Sequence, residues 1–247
     1  LPNNFFIGSR LISNIAFPNK EIGKEGYDLF KGDYLKISNL KKYSVKFYKI
    51  LRAIKKSEGP IFVYSNFKKY GGLETFAKIL QHHGYKDYKV FGPGQKRFAF
   101  FSGDESSEFK EEVKNIFNLK DNVDGSLLKI ILGSPAIKEG ITLLRVSEVH
   151  IIEPYWNLSR IDQVMGRAVR FCSHKDLPKK DRYVDIYIYL ATYPEEKTID
   201  KYIASLAKNK DRIINEFEKA LKETSVDCQL NKNINIGKDE GKIVCMR

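Results

Sequence analysis

The sequence has few of the features that mark membrane-bound, secreted or metal-stabilised proteins. Among its 247 residues, no apolar run reaches the roughly 18 residues that cross a bilayer, so we predict no membrane partner. The start, Leu-Pro-Asn-Asn-Phe-Phe, lacks a signal peptide and an initiator Met, which suggests a piece of a longer protein. Cys172, Cys228 and Cys245 are odd in number and far apart, so we expect no disulfide framework and a reducing compartment. Cys172 and His174 offer two ligands where structural zinc takes four, so we predict no metal site.

Two glycine-rich phosphate-binding motifs are also missing. A P-loop would need Gly-Lys followed by Ser or Thr, but Gly23-Lys24 precedes Glu25 and Gly237-Lys238 precedes Asp239. No Gly-x-Gly-x-x-Gly follows a predicted strand, which argues against an enzyme with a dinucleotide cofactor. Asp104-Glu105 resembles the acidic pair of a magnesium site, but without a P-loop we interpret it as the acidic start of a helix.

Positive charge is abundant. The chain has 43 Lys and Arg against 31 Asp and Glu, a net charge of +12 and a pI near 9.4. Nucleic acid is therefore the first partner to consider, because neutralising phosphates drives non-specific binding. The charge is widely spread, so a lysine-rich composition without a functional patch is the alternative. A hydrophobic content of 42% suffices for the core of one large domain with additions.

The pattern of apolar residues predicts an open α/β sheet. Most of the five strand-like runs are continuous, as in parallel strands covered on both faces, and helical patterns separate several of them. We divide the chain into an irregular N-terminal extension (1–42), the α/β domain (43–224) and an extended tail (225–247). The predicted strands are Ile61–Ser65, Arg97–Phe101, Leu127–Leu132, Val149–Glu153 and Tyr183–Leu190. The predicted helices are Tyr43–Lys56, Leu73–Gln81, Phe109–Phe117 and a long one across 199–221.

In such sheets, ligands bind beyond the carboxyl ends of the strands. Ser65–Lys68, followed by Gly71-Gly72 at the start of a helix, could hold a phosphate, although a plain turn is the favoured interpretation. Ser134 as a cap and Pro135 at the first helical position predict a short helix ending at Gly140, or a purely structural turn.

Two aromatic residues near these turns are more easily explained by packing. Trp156, the only tryptophan, could stack on a base or on an adjacent lobe, but most single tryptophans pack in the protein interior. His150 lies inside an apolar strand with no nucleophile or carboxylate at a telling spacing. We therefore predict that His150 is a core residue.

The octet Gln163–Arg170 is the most informative string. If it is helical from a capping box at Ser159–Asp162, then Gln163, Arg167 and Arg170 share a wedge of roughly 60°. Gly166 adds no bulk beside them. Two guanidiniums on one face suit a phosphate that gains charge during transfer, the role called an arginine finger, although a solvated basic face is the alternative. Arginine fingers without a phosphate-binding loop indicate a domain that completes an ATP site whose main part lies on another lobe.

Several of these segments resemble one family. Ser65 with its strand resembles motif IV of superfamily-two helicases, Ser134–Gly140 resembles motif V, and Gln163–Arg170 resembles motif VI. Glu153–Asn157 resembles the Trp-Asn segment of Swi/Snf-type DNA translocases. The stretch 139–178 is similar to the nucleoside triphosphatase I and early-transcription-factor helicases of large cytoplasmic DNA viruses.

The resemblance implies the second of two RecA-like lobes: an open, mostly parallel sheet with helices on both faces, plus N- and C-terminal extensions. It implies ATP and Mg held mainly by the first lobe, which this sequence lacks, and DNA or RNA running across both lobes. Arg167 and Arg170 would approach the γ-phosphate, and Gln163, Glu139 and Gly140 would lie on the nucleotide side. The residues implied near the nucleic-acid backbone are Ser65, Asn66, Ser134, Lys138 and Gly103.

The whole protein is then expected to hydrolyse ATP while it translocates on or unwinds nucleic acid, with this lobe inactive alone. The expected setting is viral transcription in the virion and host cytoplasm, with the N-terminal lobe and viral transcription machinery as partners. The alternative is a non-catalytic scaffold that binds nucleic acid or a transcription complex. A scaffold would keep the basic surface without needing Arg167 and Arg170.

Overall fold

The computed structural model describes residues 6–135, 141–231 and Cys245. The helices are α1 (Ile7–Asn14), α2 (Lys24–Leu29), α3 (Ile37–Tyr43), α4 (Val45–Lys56), α5 (Leu73–His82), α6 (Tyr88–Phe91), α7 (Ser107–Phe117), α8 (Leu158–Ala168), α9 (Ile199–Thr224) and α10 (Cys228–Asn231). The strands are β1 (Ile61–Tyr64), β2 (Lys86–Asp87), β3 (Arg97–Phe101), β4 (Ile130–Gly133), β5 (Glu148–Ile151) and β6 (Asp185–Ile188).

The six strands form one sheet in the order β2-β3-β4-β1-β5-β6, and every neighbouring pair is parallel. The predicted open parallel sheet is confirmed, and each of the five predicted strands overlaps an observed one. The sequence did not reveal β2, because two residues are too few to show a period.

Side chains of the central strands alternate between two hydrophobic clusters. Ile61 and Val63 of β1 pack in the cluster that includes residues of α4 and α5. Phe62 and Tyr64 pack in the cluster that includes residues of α7 and α8. The sheet is therefore covered on both faces, which explains why its strands read as continuous apolar runs.

The N-terminal region is not irregular, contrary to our expectation for residues 1–42. Within its described part, α1, α2, a 3-10 turn at Gly32–Leu35 and α3 follow one another. Phe17, Phe30 and Leu40 are buried in the same cluster as α4 and α5. These short helices are stabilised by tertiary packing, which overrides their weak periodicity.

The C-terminal region also differs in part from expectation. The long helix after the last strand is confirmed as α9, which has 26 residues. The expected extended tail begins with α10, and Cys228 is joined to Cys245 by a disulfide with a Cα–Cα distance of 5.7 Å. The prediction of unpaired cysteines is therefore wrong for these two, and the reducing compartment loses its support from the sequence. Cys172 is an exposed free thiol. Within the described ranges, no helix is long and apolar enough to cross a membrane.

Candidate functional site

The segments selected from the sequence meet at one edge of the sheet. The strands β3, β4, β1 and β5 are consecutive neighbours, so the turns that follow their carboxyl ends lie side by side. The N–H of Ser134 donates to the carbonyl of Phe101 (3.2 Å), and the N–H of Ser65 donates to the carbonyl of Gly133 (3.1 Å). Backbone pairing thus continues past the ends of the strands and holds these turns in register.

The carboxylate of Glu153 lies at the centre of this edge, although it is only 1% exposed. The hydroxyl of Ser65 donates to both carboxylate oxygens (3.0 and 2.9 Å). The backbone N–H of Asn66 (2.5 Å), its side-chain amide (3.2 Å) and the amide of Asn14 (3.1 Å) also donate to Glu153. Burial raises the pKa of Glu153, against the opposing charge of Lys46 and the hydrogen bonds from Asn66 and Ser65.

The burial of Ser65 bears on its predicted contact with a nucleic-acid backbone. Ser65 is completely buried, its hydroxyl donates to Glu153, and it accepts from the N–H of Phe67 (3.0 Å). Direct contact with a phosphate would require this turn to open. Asn66 is half-buried, with its side-chain oxygen accepting from the hydroxyl of Tyr64 (3.1 Å).

The two glycines at Gly71-Gly72 shape the turn that precedes α5. The N–H of Leu73 donates to the carbonyl of Phe67 (3.0 Å), so the first amide of α5 already has a partner. A Cβ on Gly72 would lie 1.9 Å from the same carbonyl oxygen, and Gly71 has a φ of +100°. The two glycines therefore allow a close turn, and the N–H of Leu73 is unavailable to a phosphate.

A second polar cluster joins the turn after β1 to the turn after β3. The ammonium of Lys68 contacts the hydroxyl of Ser102 (2.8 Å) and the carboxylate of Asp104 (2.5 Å). Partial burial acts to lower the pKa of Lys68, but Asp104 and Glu105 outweigh it and raise the pKa. Gly103 lies exposed between these residues, in the turn where we expected a backbone contact.

We interpreted Asp104-Glu105 as the acidic start of a helix, and this interpretation is wrong. Ser106 caps α7, accepting from the N–H of Phe109. Glu105 instead accepts from the backbone N–H of Ser102 (2.8 Å). The two carboxylates therefore fix the turn and hold Lys68, which no local pattern in the sequence shows.

The segment after β4 is described only in part. Ser134 is 6% exposed, so it too would have to become accessible before it could touch nucleic acid. Lys138, Glu139 and Gly140 lie outside the described residues, as does most of the short helix predicted there. Their predicted roles stay predictions.

The helix α8 carries part of the arginine-rich octet but begins and ends differently from our prediction. Its cap is Asn157, whose side-chain oxygen accepts from the N–H (2.9 Å) and the hydroxyl (2.7 Å) of Ser159, so the expected capping box is wrong. It ends at Ala168, so Gln163 and Arg167 lie on the helix and Arg170 lies beyond it.

The octet is not one continuous helical face because Ser173 turns the chain. The hydroxyl of Ser173 donates to the carbonyl of Ala168 (3.2 Å) and accepts from the N–H of Arg170 (3.3 Å). These side-chain bonds compete with continued helix formation. Arg170 is therefore placed by the turn and not by helical periodicity.

Solvent can reach the side chains of the octet that we assigned to the nucleotide. Gln163 and Arg170 are exposed and Arg167 is half-buried. A guanidinium nitrogen of Arg170 donates to the hydroxyl of Thr142, and the carbonyl of Arg167 accepts from the N–H of Leu143 (2.9 Å). Within the described part of the chain, a Cβ on Gly166 would meet nothing closer than 4 Å. The surface beside the arginines is thus open to another molecule.

An apolar patch adjoins Arg170. Phe171 is 98% exposed and Val169 is 49% exposed. Exposed apolar patches beside polar groups are typical of interaction surfaces. The arginines and the patch together form an open rim at the end of α8.

The other aromatic predictions can be judged directly. Trp156 is 7% exposed, which agrees with packing as the ordinary fate of a lone tryptophan. His150 is fully buried, with one ring nitrogen 2.9 Å from the hydroxyl of Tyr189 and the other 2.9 Å from the carboxylate of Glu148. Its assignment as a core residue is confirmed.

Comparison with known proteins adds to this geometry. Residues 44–172 match the model of the helicase conserved C-terminal domain. A "Putative ATP-dependent RNA helicase" of Acanthamoeba polyphaga mimivirus is 52% identical over 246 residues, which are 99% of this chain and 43% of that protein. A "Termination factor NPH-I homolog" of African swine fever virus (isolate Warthog/Namibia/Wart80/1980) is 28% identical over 235 residues, covering 76% of this chain and 33% of that protein.

A solved structure agrees with the fold. The crystal structure of the C-terminal part of the Fun30 ATPase domain superposes with a TM-score of 0.51 at 18% identity, covering 66% of this chain and 45% of that chain. At this identity the likeness concerns the fold alone, and it confirms the RecA-like sheet that the sequence motifs implied. The chain spans less than half the length of the two viral relatives.

Proposed function

The chain belongs to the helicase conserved C-terminal domain family, and from this premise we propose that it is the C-terminal motor lobe of an ATP-dependent helicase or translocase. The observation that carries the proposal is the open rim, where Arg170 is exposed and Arg167 half-buried beside the exposed ring of Phe171. Solvent-accessible guanidiniums beside an exposed apolar ring fit a site that a second body completes. The N-terminal RecA-like lobe of the same protein is the partner we assign to it.

The residues at the rim fit the terminal phosphates of ATP. The side-chain hydrogen bond of Arg170 goes to the neutral hydroxyl of Thr142, which leaves its positive charge uncancelled by that contact. Arg170 and Arg167 would stabilise negative charge that develops during phosphoryl transfer. Gln163 would support the nucleotide, with Glu139 and Gly140 on the same side. When bound, ATP with Mg, held mainly by the other lobe, would supply the phosphoryl group.

The neighbouring turns would form part of a nucleic-acid track. Asn66 and Gly103 are accessible at the same sheet edge, and Lys138 is assigned by its motif alone. Ser65 and Ser134 are buried, so we assign them an indirect part, holding the turns that carry the accessible groups. A net charge of +12 favours a polyanionic partner, DNA or RNA.

The names of the relatives suggest a biological setting. One is named as an RNA helicase and another as a termination factor, both from viruses, so we propose that the whole protein acts in viral transcription. The virion, the cytoplasmic viral factory and contact with viral transcription proteins follow as parts of that proposal.

Hydrolysis by matched proteins tests this assignment. The 247-residue chain and the full-length protein are each assayed for phosphate release from ATP, without nucleic acid and with single-stranded RNA or duplex DNA. We expect no hydrolysis by the chain alone, and hydrolysis by the full-length protein that rises with nucleic acid. Turnover by the chain alone would refute the two-lobe site. Nucleic-acid binding without any hydrolysis would favour the scaffold.

A further inference from the structure

The helix α1 lies outside the family match at 44–172. It places the buried cation of Arg10 among the turns that follow the carboxyl ends of the strands. Arg10 is only 3% exposed. The carbon at the centre of its guanidinium is 4.7 Å from the ring centroid of Phe67 and 5.5 Å from that of Trp156. Phe67 belongs to the turn after β1, and Trp156 belongs to the turn that leads into α8. One side chain therefore contacts both turns.

Asn14, one helical turn after Arg10, connects the same two regions by hydrogen bonds. Its amide nitrogen donates to the carbonyl of Gly71 (3.2 Å), which follows β1, and to the carboxylate of Glu153 (3.1 Å), which follows β5. Its oxygen accepts from the ammonium of Lys46 (2.9 Å). Residues at i and i+4 share a helix face, so a single face of α1 contacts both turns.

The C-terminal end of α1 is also fixed by α4 and α9. Lys46 forms a buried ion pair with Asp200 (2.5 Å), the second residue of α9, and Ser13 of α1 donates to the same carboxylate (2.8 Å). Both partners of the ion pair are nearly inaccessible, with side chains 4% and 0% exposed. The contacts of Lys46 and Ser13 with Asp200 thus fix α1, while Arg10 and Asn14 contact the two turns.

The buried guanidinium of Arg10 forms few hydrogen bonds. Among the described residues, two of its guanidinium nitrogens, Nε and Nη2, have no hydrogen-bond partner. Burial lowers the pKa of Arg10, with Glu153 acting in the opposite direction. A buried, incompletely paired charge costs stability, and an apolar side chain of similar size is often neutral or stabilising in its place. Stability alone therefore does not account for an arginine here.

We propose that Arg10 is a positioning residue, and that α1 clamps the turn after β1 to the turn before α8. This inference rests on the proposed motor function. The guanidinium of Arg10, stacked between the rings of Phe67 and Trp156, sets the spacing of the two turns. Through the second turn, this stacking sets the orientation of α8, which carries Gln163 and Arg167. Without the clamp the nucleotide still binds, but the arginines meet it less well when nucleic acid engages.

The test compares two variants and a control in the full-length protein. Arg10→Met removes the charge and keeps the bulk, and Arg10→Lys keeps a cation without the planar stack. The control is Arg52→Met, since Arg52 also stacks on a ring, that of Tyr48 at 5.6 Å, but is exposed and pairs with a residue of its own helix, α4. Each protein is measured for melting temperature, for kcat and KM with saturating nucleic acid, and for Trp156 fluorescence, isolated by subtracting the spectrum of a Trp156→Phe protein.

We expect Arg10→Met to lower the stimulated kcat by about tenfold, with KM for ATP changed by less than about twofold. Its melting temperature should be equal or higher, and Trp156 emission should shift because the stacked cation is gone. Arg10→Lys should recover part of kcat, and Arg52→Met should match the wild type.

Each of the following results would overturn the clamp. The first is a folded Arg10→Met protein with wild-type kcat, and the second is a clear loss of stability with kcat unchanged, which marks a structural role. If Arg10→Met does not fold, Arg10→Lys decides, and wild-type kcat there rejects the clamp. The last is a wild-type protein that shows no stimulated hydrolysis. That result removes the proposed function, and the clamp with it, and is recognisable because it appears before any variant is compared.

Discussion

The candidate site, at the carboxyl ends of the parallel strands, has two regions that differ in exposure, which we call the closed side and the open side. The closed side is the turn Ser65–Gly72 with Glu153, where the carboxylate is 1% exposed and accepts from three residues. The open side is the segment Gln163–Phe171, where Arg170 is exposed and the ring of Phe171 is 98% exposed. Both sides lie next to carboxyl ends of the same parallel sheet.

The difference separates what this chain completes by itself from what it offers to another body. On the closed side, buried donors and acceptors are paired within the chain, so its geometry is set before any ligand arrives. On the open side, the guanidinium of Arg170 and the ring of Phe171 are both in water, and exposure of the apolar ring costs free energy that a partner would remove. We therefore expect loss of the buried Glu153 carboxylate on the closed side to change mainly stability, and loss of the exposed Arg170 guanidinium on the open side to change mainly activity.

The largest expected effect is on the open side. Arg170→Ala in the full-length protein should lower kcat by about 10³-fold or more, because removing an arginine finger typically costs about 10³–10⁵ in rate. ATP binding should persist, since the other lobe supplies most of the contacts in the proposed site. Single-turnover hydrolysis and equilibrium binding of a fluorescent ATP analogue measure the two quantities separately.

Arg182→Ala is the matched control for Arg170→Ala. Arg182 is also exposed, but its guanidinium donates to the carbonyls of Leu177 (2.8 Å) and Lys175 (2.7 Å), and it lies outside the octet assigned to the nucleotide. It should keep turnover within about twofold of the wild type. Equal losses in the two variants would mean that general surface charge drives the activity, and the arginine-finger assignment would fall.

Sequence patterns predicted the closed side and the open side unequally. The sheet was predictable because buried parallel strands leave long apolar runs, as in Ile61–Tyr64 and Ile130–Gly133. The helices of residues 7–43 were missed because they are short and stabilised by long-range packing. Arg10 and Asn14 act across more than fifty residues of chain to reach Phe67 and Gly71, and no local pattern encodes such a contact.

On the open side, residue types were predicted better than geometry. The octet correctly drew attention to solvent-accessible arginines, but helical spacing placed Arg170 on α8, and the chain leaves that helix at Ala168. The hydroxyl of Ser173 bonds the backbone of Ala168 and Arg170, and the N–H of Ser173 bonds the carbonyl of Arg170, so several bonds form this turn. Periodicity describes an ideal helix and does not show where a side chain will end it.

The second expected effect is on the closed side. Glu153→Gln keeps the shape but replaces one acceptor oxygen by a donor facing the donors Ser65, Asn66 and Asn14. We expect a loss of about 1–3 kcal/mol in the free energy of unfolding, because buried polar groups lose their partners. Chemical denaturation of the full-length protein measures it.

An exposed glutamate provides the control for Glu153→Gln. Glu216 pairs with Arg212 at 2.6 Å, but its side chain is 63% exposed, so Glu216→Gln should change the free energy of unfolding by less than about 0.5 kcal/mol. If both variants have the same small effect, Glu153 does not organise the closed side. A large loss of kcat in Glu153→Gln without a loss of stability would also contradict the division between the two sides.

The smallest expected effect uses the glycine of the open side. A Cβ on Gly166 meets nothing within 4 Å among the residues that the structure describes, and Gly166 lies inside α8, so Gly166→Ala should stabilise the fold by about 0.5–1 kcal/mol. If the other lobe or a phosphate approaches this surface, the added methyl should lower kcat by about threefold despite the gain in stability. Asn215→Ala, at an exposed position of α9, raises helix propensity without facing the rim and should leave kcat unchanged. Unchanged turnover in Gly166→Ala would mean that nothing comes close to α8 at this point, and the open side would have to be reduced to Arg170 and its apolar neighbours.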